Sequence, residues 1–270
     1  MRIQDLIHHL EKEVPLAFQE SYDNSGLIVG NAQWELTGVL ICLDSTEEVV
    51  EEAIALGCNL IVAHHPIIFQ GLKQLTGANY IQRTVVKAIR NDIAIYACHT
   101  NLDNVLQRGV NDKIAKMIGV GNVQPIQPKS SFLAEKYDRD ADLVGTGLIG
   151  TLKEPMNEMA FLEMLKNEMK VSCLKYTRLL GKEIQKVALC GGSGGFLLKH
   201  AMRLEADIYI SSDFKYHEFF NADGRIIIAD LGHYESEQFT IEVLYDIISD
   251  KMSTFAPHCT KHNTNPVNYL

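Results

Sequence analysis

The chain has 270 residues, 46% of them hydrophobic, which is enough for one large domain or two of ordinary size around a packed core and excludes general disorder. A net charge of −9 argues against nucleic acid and anionic membrane as partners, since both call for clustered Lys and Arg. An anionic substrate stays possible, because a bound metal reverses the local field.

In chain order, "MRIQDLIHHLEKEV" sets Ile3, Leu6, Ile7, Leu10 and Val14 at helical spacing with acidic residues between them. An amphipathic helix is predicted there, not a signal peptide, and no stretch approaches the length of a membrane span. The "HH" at 8–9 reads as one core and one surface histidine. "LTGVLICLD" (36–44) follows as a strand and "STEEVVEEAIALG" (45–57) as a helix, with Ser45 or Thr46 as its cap and acidic residues at the positive end of its dipole. "NLIVAHH" (59–65) is the next strand. A helix over about 78–90, the strand "IAIYACH" (93–99) and the helix "GVNDKIAKMIG" (109–119) complete the first half. This alternation indicates α/β architecture with mostly parallel sheets flanked by helices.

The polar stretch 123–142, with two prolines, reads as a linker or long loop. Beyond it the plan recurs. "VLICLDSTEEVVEEAIALGCNLIVAHH" (39–65) aligns without a gap on "VALCGGSGGFLLKHAMRLEADIYISSD" (187–213), pairing Val39 with Val187, Cys42 with Cys190, His64 with Ser212 and His65 with Asp213. "RIIIADLG" (225–232) then stands for "IAIYACH". Two related lobes are therefore expected, 1–125 and 126–270. The six cysteines form no C-x-x-C pair, and three lie in strand-like apolar runs, which suits a reducing, cytoplasmic setting.

Working residues of parallel sheets gather past the carboxyl ends of strands. His64 and His65 stand at such an end, before Pro66, which stops the strand. An isolated pair of this kind first reads as one core and one surface histidine. At a strand break, however, adjacent imidazoles can diverge and bind two different ions. His99 and Asp103 follow a second strand, and His233 and Glu237, four apart, share one helix face after a third. Three histidines and two carboxylates from this group make a mixed N/O donor set suited to Zn²⁺, Mn²⁺, Fe²⁺, Co²⁺ or Ni²⁺. Five donors exceed the needs of one catalytic ion and suffice for two about 3.5–4 Å apart, which points to hydrolysis. "CGGSGG" (190–195) reads either as a phosphate cradle or as a tight turn that lets helix and strand pack closely. Asp213, Lys215 and His217 in "SSDFKYHEFF" read as groups supporting the site or as an ordinary helix start.

Together these segments resemble the NGG-interacting-factor-three family, the dinuclear metal-centre proteins known as GTP cyclohydrolase I type 2 homologues. The resemblance covers nearly the whole chain and is carried by "YDNSGLIVG" (22–30), "AHHPIIF" (63–69), "HTNLDN" (99–104), "GGSGG" (191–195), "SDFKYHE" (212–218) and "GHYESE" (232–237). It implies metal ligands at His64, His65, Asp103, His233 and Glu237, two divalent ions in a cleft between lobes, and a toroidal homohexamer built from dimers. Longer members carry an inserted domain for which 270 residues leave no room. "SSD" stands here where the family often has Thr-Gly-Asp or Thr-Gly-Glu. The implied activity is GTP cyclohydrolase, with metal-bound hydroxide attacking the guanine imidazole ring and formate leaving, and His99, Asp213 or His217 transferring protons. The wider expectation is a dinuclear hydrolase of a nucleotide-like small molecule. The alternative is a metal-handling or regulatory protein without turnover.

Overall fold

The computed structural model describes residues 1–140, 143–252 and 256–270, and in it the chain forms two units. The first comprises Met1–Leu102 and Thr240–Pro266, the second Asp103–Phe239 and Val267–Leu270. This division falls at Leu102/Asp103 rather than at the expected 125/126, and it returns Thr240–Pro266 to the first unit.

In the first unit, β1 (Gly26–Val29), β2 (Val39–Cys42), β3 (Leu60–Ala63), β4 (Ala94–Ala97) and β11 (His258–Cys259) form a sheet in the order β1-β4-β3-β2-β11. Every residue of β2, β3 and β4 is buried, as expected of parallel strands covered on both faces. β1 closes one edge antiparallel to β4, and β11 lies parallel to β2 at the other. The helices α1 (Ile3–Glu13), α2 (Glu47–Leu56), α3 (Tyr80–Arg90) and α10 (Thr240–Ser249) belong to this unit; α4 (Thr100–Asp103) spans the division, and α5 (Val110–Met117), α6 (Ser131–Lys136), α7 (Glu158–Glu168), α8 (Leu198–Arg203) and α9 (His233–Glu237) belong to the second. Val49, Val50 and Ala53 of α2 and Val85 and Ala88 of α3 share one core with Leu40, Ile61 and Ile95 of the sheet. His8 is exposed and His9 half-buried, its ring meeting the Ile247 carbonyl at 2.8 Å.

The second unit has β5 (Val120–Pro128), β6 (Gly145–Asn157), β7 (Lys175–Tyr176), β8 (Glu183–Leu189), β9 (Ile208–Ser211) and β10 (Ile227–Asp230), ordered β5-β6-β8-β9-β10-β7. Strands β8, β9 and β10 are parallel; β7 borders β10 antiparallel, β6 borders β8 antiparallel, and β5 pairs antiparallel with β6 at the edge. The stretch expected as a linker thus starts within β5 and continues into a short helix at Ser131–Lys136; its last two residues lie outside the described ones. Pro125 and Pro128 are tolerated because β5 is an edge strand, where a missing N–H breaks no ladder on its open side.

The internal repeat holds in strand register. β2 pairs with β3 as Val39↔Leu60, Leu40↔Ile61 and Ile41↔Val62; β8 pairs with β9 as Val187↔Ile208, Ala188↔Tyr209 and Leu189↔Ile210. Positions aligned in sequence are therefore equivalent in each sheet. Among the described residues, no helix is long and apolar enough to cross a membrane.

Thr46 caps α2 by accepting from the Val49 amide at 3.3 Å, and Glu47 and Glu48 occupy the first turn. Thr46→Ala is expected to lower stability by about 1 kcal/mol. Urea titration should show an earlier midpoint at unchanged slope.

Candidate metal centre

In the first unit the β3 ladder continues just past the strand, the His64 amide donating to Cys42 O at 3.2 Å and the His65 amide to Leu43 O at 2.9 Å. The two side chains leave at this end, with ring centroids 4.8 Å apart and planes inclined by 49°. His99 comes from the end of β4 and sets its ring 5.3 Å from His64 and 5.5 Å from His65. One donor atom from each of the three lies within 4.8 Å of the others, so this trio alone could hold an ion.

Each ring is held at Nδ1. His64, fully buried, has Nδ1 2.8 Å from the Cys98 carbonyl. His65 Nδ1 is 2.7 Å from Asp44 Oδ1, and His99 Nδ1 is 2.7 Å from Asp23 Oδ1. A carbonyl can only accept, and an ionised carboxylate likewise, so Nδ1 carries the proton in each neutral ring and the lone pair sits on Nε2. This is how a histidine is prepared to ligate a metal. Both carboxylates remain ionised. Burial raises Asp23, but the hydrogen bonds from His99, Thr100 and Ser25 outweigh it and hold the group well below its ordinary range. Asp44 is likewise raised by burial and lowered further by His65 and Thr264.

In the second unit, the short helix α9 (His233–Glu237) follows β10 and places its two ends on one face. His233 Nε2 lies 3.1 Å from Glu237 Oε2, and Nδ1 lies 2.6 Å from Asp213 Oδ2. Burial disfavours the charged ring, but the two carboxylates overcome that and push its pKa up to about 11. Asp103, in the helical turn α4 (Thr100–Asp103), is tied in through Asn111, which donates to its carbonyl at 3.0 Å and accepts from the Gly191 amide at 2.9 Å. The carboxylates of Asp103 and Glu237 both act on Cys190, whose thiol is pushed up by burial first and then by these charges.

The glycine-rich turn makes room for this arrangement. Gly192 has φ +64°, and a Cβ there would run into Glu237 Oε1. Its amide donates to Ser236 Oγ at 2.9 Å, and the Gly194 amide to Ser211 Oγ at the same distance. With the Gly191 amide also taken, the turn uses these N–H groups internally, as close packing requires.

Three carboxylates missed in the sequence organise these residues. Asp23 and Asp44 orient His99 and His65. Asp230, fully buried at the end of β10, accepts from the Phe214 amide at 3.2 Å, the Gly232 amide at 3.0 Å and Lys175 Nζ at 2.8 Å. It thereby pins the loop after β9, which bears Asp213, to the loop before α9, which bears His233. The signal for Asp44 is its place at the end of the strand read over 36–44; Asp23 lies within the motif "YDNSGLIVG". His217 lies on the exposed 3-10 turn Tyr216–Ala222, its ring against Tyr216 and Phe220, and among the described residues it joins no group of three potential metal donors.

A family model described as Duf34/NIF3 (NGG1p interacting factor 3) matches residues 1–266. A protein of Lactococcus lactis subsp. lactis named GTP cyclohydrolase 1 type 2 homolog is 34% identical over 263 residues, 94% of this chain and 93% of its own. One of the same name from Clostridium perfringens is 32% identical over 240 residues, 88% of this chain and 87% of its own. The crystal structure of a Staphylococcus aureus hypothetical protein superposes with a TM-score of 0.90 at 30% identity, covering 100% of this chain and 99% of that one. That of a Bacillus cereus protein related to NIF3 gives 0.89 at 25% identity, with the same coverage.

Two outcomes follow from this geometry. Asp230→Ala strips the buried Phe214 amide of its acceptor and should cost about 1–3 kcal/mol, measured by urea titration. For metal-free protein, a His233 pKa raised from 6.5 to about 11 means its stabilisation is complete below pH 6.5 and is lost as pH climbs toward 11. Wild type should therefore exceed His233→Gln in urea midpoint most at pH 6, less at pH 9, and no longer at pH 11.

Proposed function

Because the chain belongs to the Duf34/NIF3 family, we propose that it is a metal-dependent hydrolase of a nucleotide-like small molecule. The observation that carries this reading is the histidine trio of the first unit, three rings each locked at Nδ1 with donor atoms within 4.8 Å. An imidazole cluster so prepared has no use in core packing. Its Nε2 donors suit a borderline divalent ion such as Zn²⁺, Mn²⁺, Fe²⁺, Co²⁺ or Ni²⁺ held by His64 and His65, with His99 beside it.

We assign His64, His65, Asp103, His233 and Glu237 as ligands of two such ions. When bound, the ions supply Lewis acidity that brings the pKa of water toward neutrality. The chain's own residues do the rest. Cys98 O and Asp44 hold His64 and His65 in the ligating tautomer, and Asp213 holds His233. His233 gives up the proton it shares with Glu237 when a cation takes that place, so uptake releases protons. His99 is the proton-transfer group in this reading, its Nδ1–H given to Asp23 and its Nε2 left to accept and return a proton. Asp213 and His217 are the further candidates for that role.

The bacterial relatives named GTP cyclohydrolase 1 type 2 homolog make GTP the first substrate to assay. The corresponding reaction opens the guanine imidazole ring and releases formate. A cytoplasmic location accords with six free thiols, and the homohexamer of dimers expected from the family completes the proposal.

The test is metal content and turnover on one preparation. Elemental analysis should find about two ions per chain in wild type and fewer in His65→Ala, and formate release from GTP should depend on metal and fall at least a hundredfold in the variant. Two ions without formate release would redirect the reading to another hydrolytic substrate or to metal handling. Failure to take up Zn²⁺ or Mn²⁺ would sink it.

A further inference from the structure

The last stretch of the chain returns to the histidine end of the first sheet. β11 runs parallel to β2, with His258 beside Leu40 and Cys259 beside Ile41. Parallel strands run the same way, so the residues after β11 leave at the end where Asp44 follows β2. They are stitched down as they go. The Thr260 amide donates to Ile41 O at 2.8 Å, its hydroxyl to Glu52 Oε2 at 2.5 Å, and the Lys261 amide to Glu52 Oε1 at 3.1 Å.

Thr264 then donates its hydroxyl to Asp44 Oδ2 at 2.8 Å, while Asp44 Oδ1 accepts from His65 Nδ1 at 2.7 Å. The two oxygens of one carboxylate are thus divided between the tail and the ring. A carboxylate gripped by one oxygen can still swing about its Cβ–Cγ bond. Gripped by both, its plane is fixed, and with it the direction in which the His65 ring points.

We propose that Thr264 is a positioning residue for His65, acting through Asp44 to hold the ring in the tautomer and orientation that leave Nε2 for a divalent cation. This rests on the metal-site reading above for its function but not for its geometry. Orienting partners of a ligating histidine are worth about tenfold to a hundredfold in metal affinity, and Thr264 stands one bond further out.

The test uses the full chain, with Zn²⁺ alone as probe, in wild type, Thr264→Val, Thr264→Ser and Asp44→Asn. Affinity is read by competition with a chromophoric chelator, and the His65 tautomer by ¹⁵N chemical shifts of the zinc-free proteins. Thr264→Val should weaken one of the two zinc ions by about threefold to tenfold and let His65 sample both tautomers. Thr264→Ser, which keeps the hydroxyl, should restore both readouts, and zinc-free melting curves should coincide. Wild-type zinc affinity and a single tautomer in Thr264→Val, with both lost in Asp44→Asn, would reduce Thr264 to an anchor for the tail and overturn the proposal. So would failure of Thr264→Ser to rescue. If wild type binds no zinc, the metal reading falls by itself, and the zinc-free His65 tautomer in Thr264→Val decides this inference.

Discussion

The hydrogen bond at Nδ1 is the constraint on which the histidine cluster depends. An imidazole left to itself exchanges tautomers and rotates, and three of them within contact distance would repel or scramble. Here a backbone carbonyl and two ionised carboxylates each take one Nδ1–H. The rings gain a common polarity, protons outward to the protein frame and lone pairs inward to one another. His233 shows the other possibility. Carboxylates lie at both its nitrogens, so it carries two protons rather than a lone pair, and it could accept a cation only by giving one of them up.

The acceptors are where they are because parallel strands end together. Cys98 and Asp44 stand just beyond β4 and β2, on either side of β3, which delivers His64 and His65. The repeated lobe uses the same positions differently. The equivalent of Asp44 is Gly192, and the space its missing side chain leaves is filled by the Glu237 carboxylate arriving from α9. The equivalents of His64 and His65 are Ser212 and Asp213, and Asp213 orients a histidine in place of a second histidine. One scaffold thus presents imidazoles that carboxylates support, and the other presents carboxylates around a single imidazole.

Much of this was legible in the sequence because buried parallel strands are continuous apolar runs, and a break in such a run is easy to see. "NLIVAHHP" shows both the strand and its end, and the register of 39–65 against 187–213 carries over directly into the pairing of β2 with β3 and β8 with β9. The lobe boundary was harder. β5 is an edge strand, half polar and bearing two prolines, so its local signal is that of a loop, and only its pairing with β6 makes it a strand. Nor does any local pattern show that Thr240–Pro266 returns to the first sheet: α10 has the periodicity of any amphipathic helix, and β11 is only two residues long.

The carboxylates that orient the rings were obscured for a related reason. An aspartate after a strand is chemically the same residue whether it caps a turn or grips an imidazole, and sequence separates the two only when the strand ends are read side by side. Asp44, His65 and His99 follow three adjacent strands, so the neighbours of each are set by strand order and not by proximity in the chain. Asp230 makes the point most strongly. It is a fully buried carboxylate within an otherwise apolar strand, a position that costs stability unless every oxygen is satisfied. Two backbone amides and Lys175 satisfy it, and those amides belong to the loops that present Asp213 and His233. A charge is tolerated in that core because it fixes the relative placement of two loops, which apolar packing alone would leave loose.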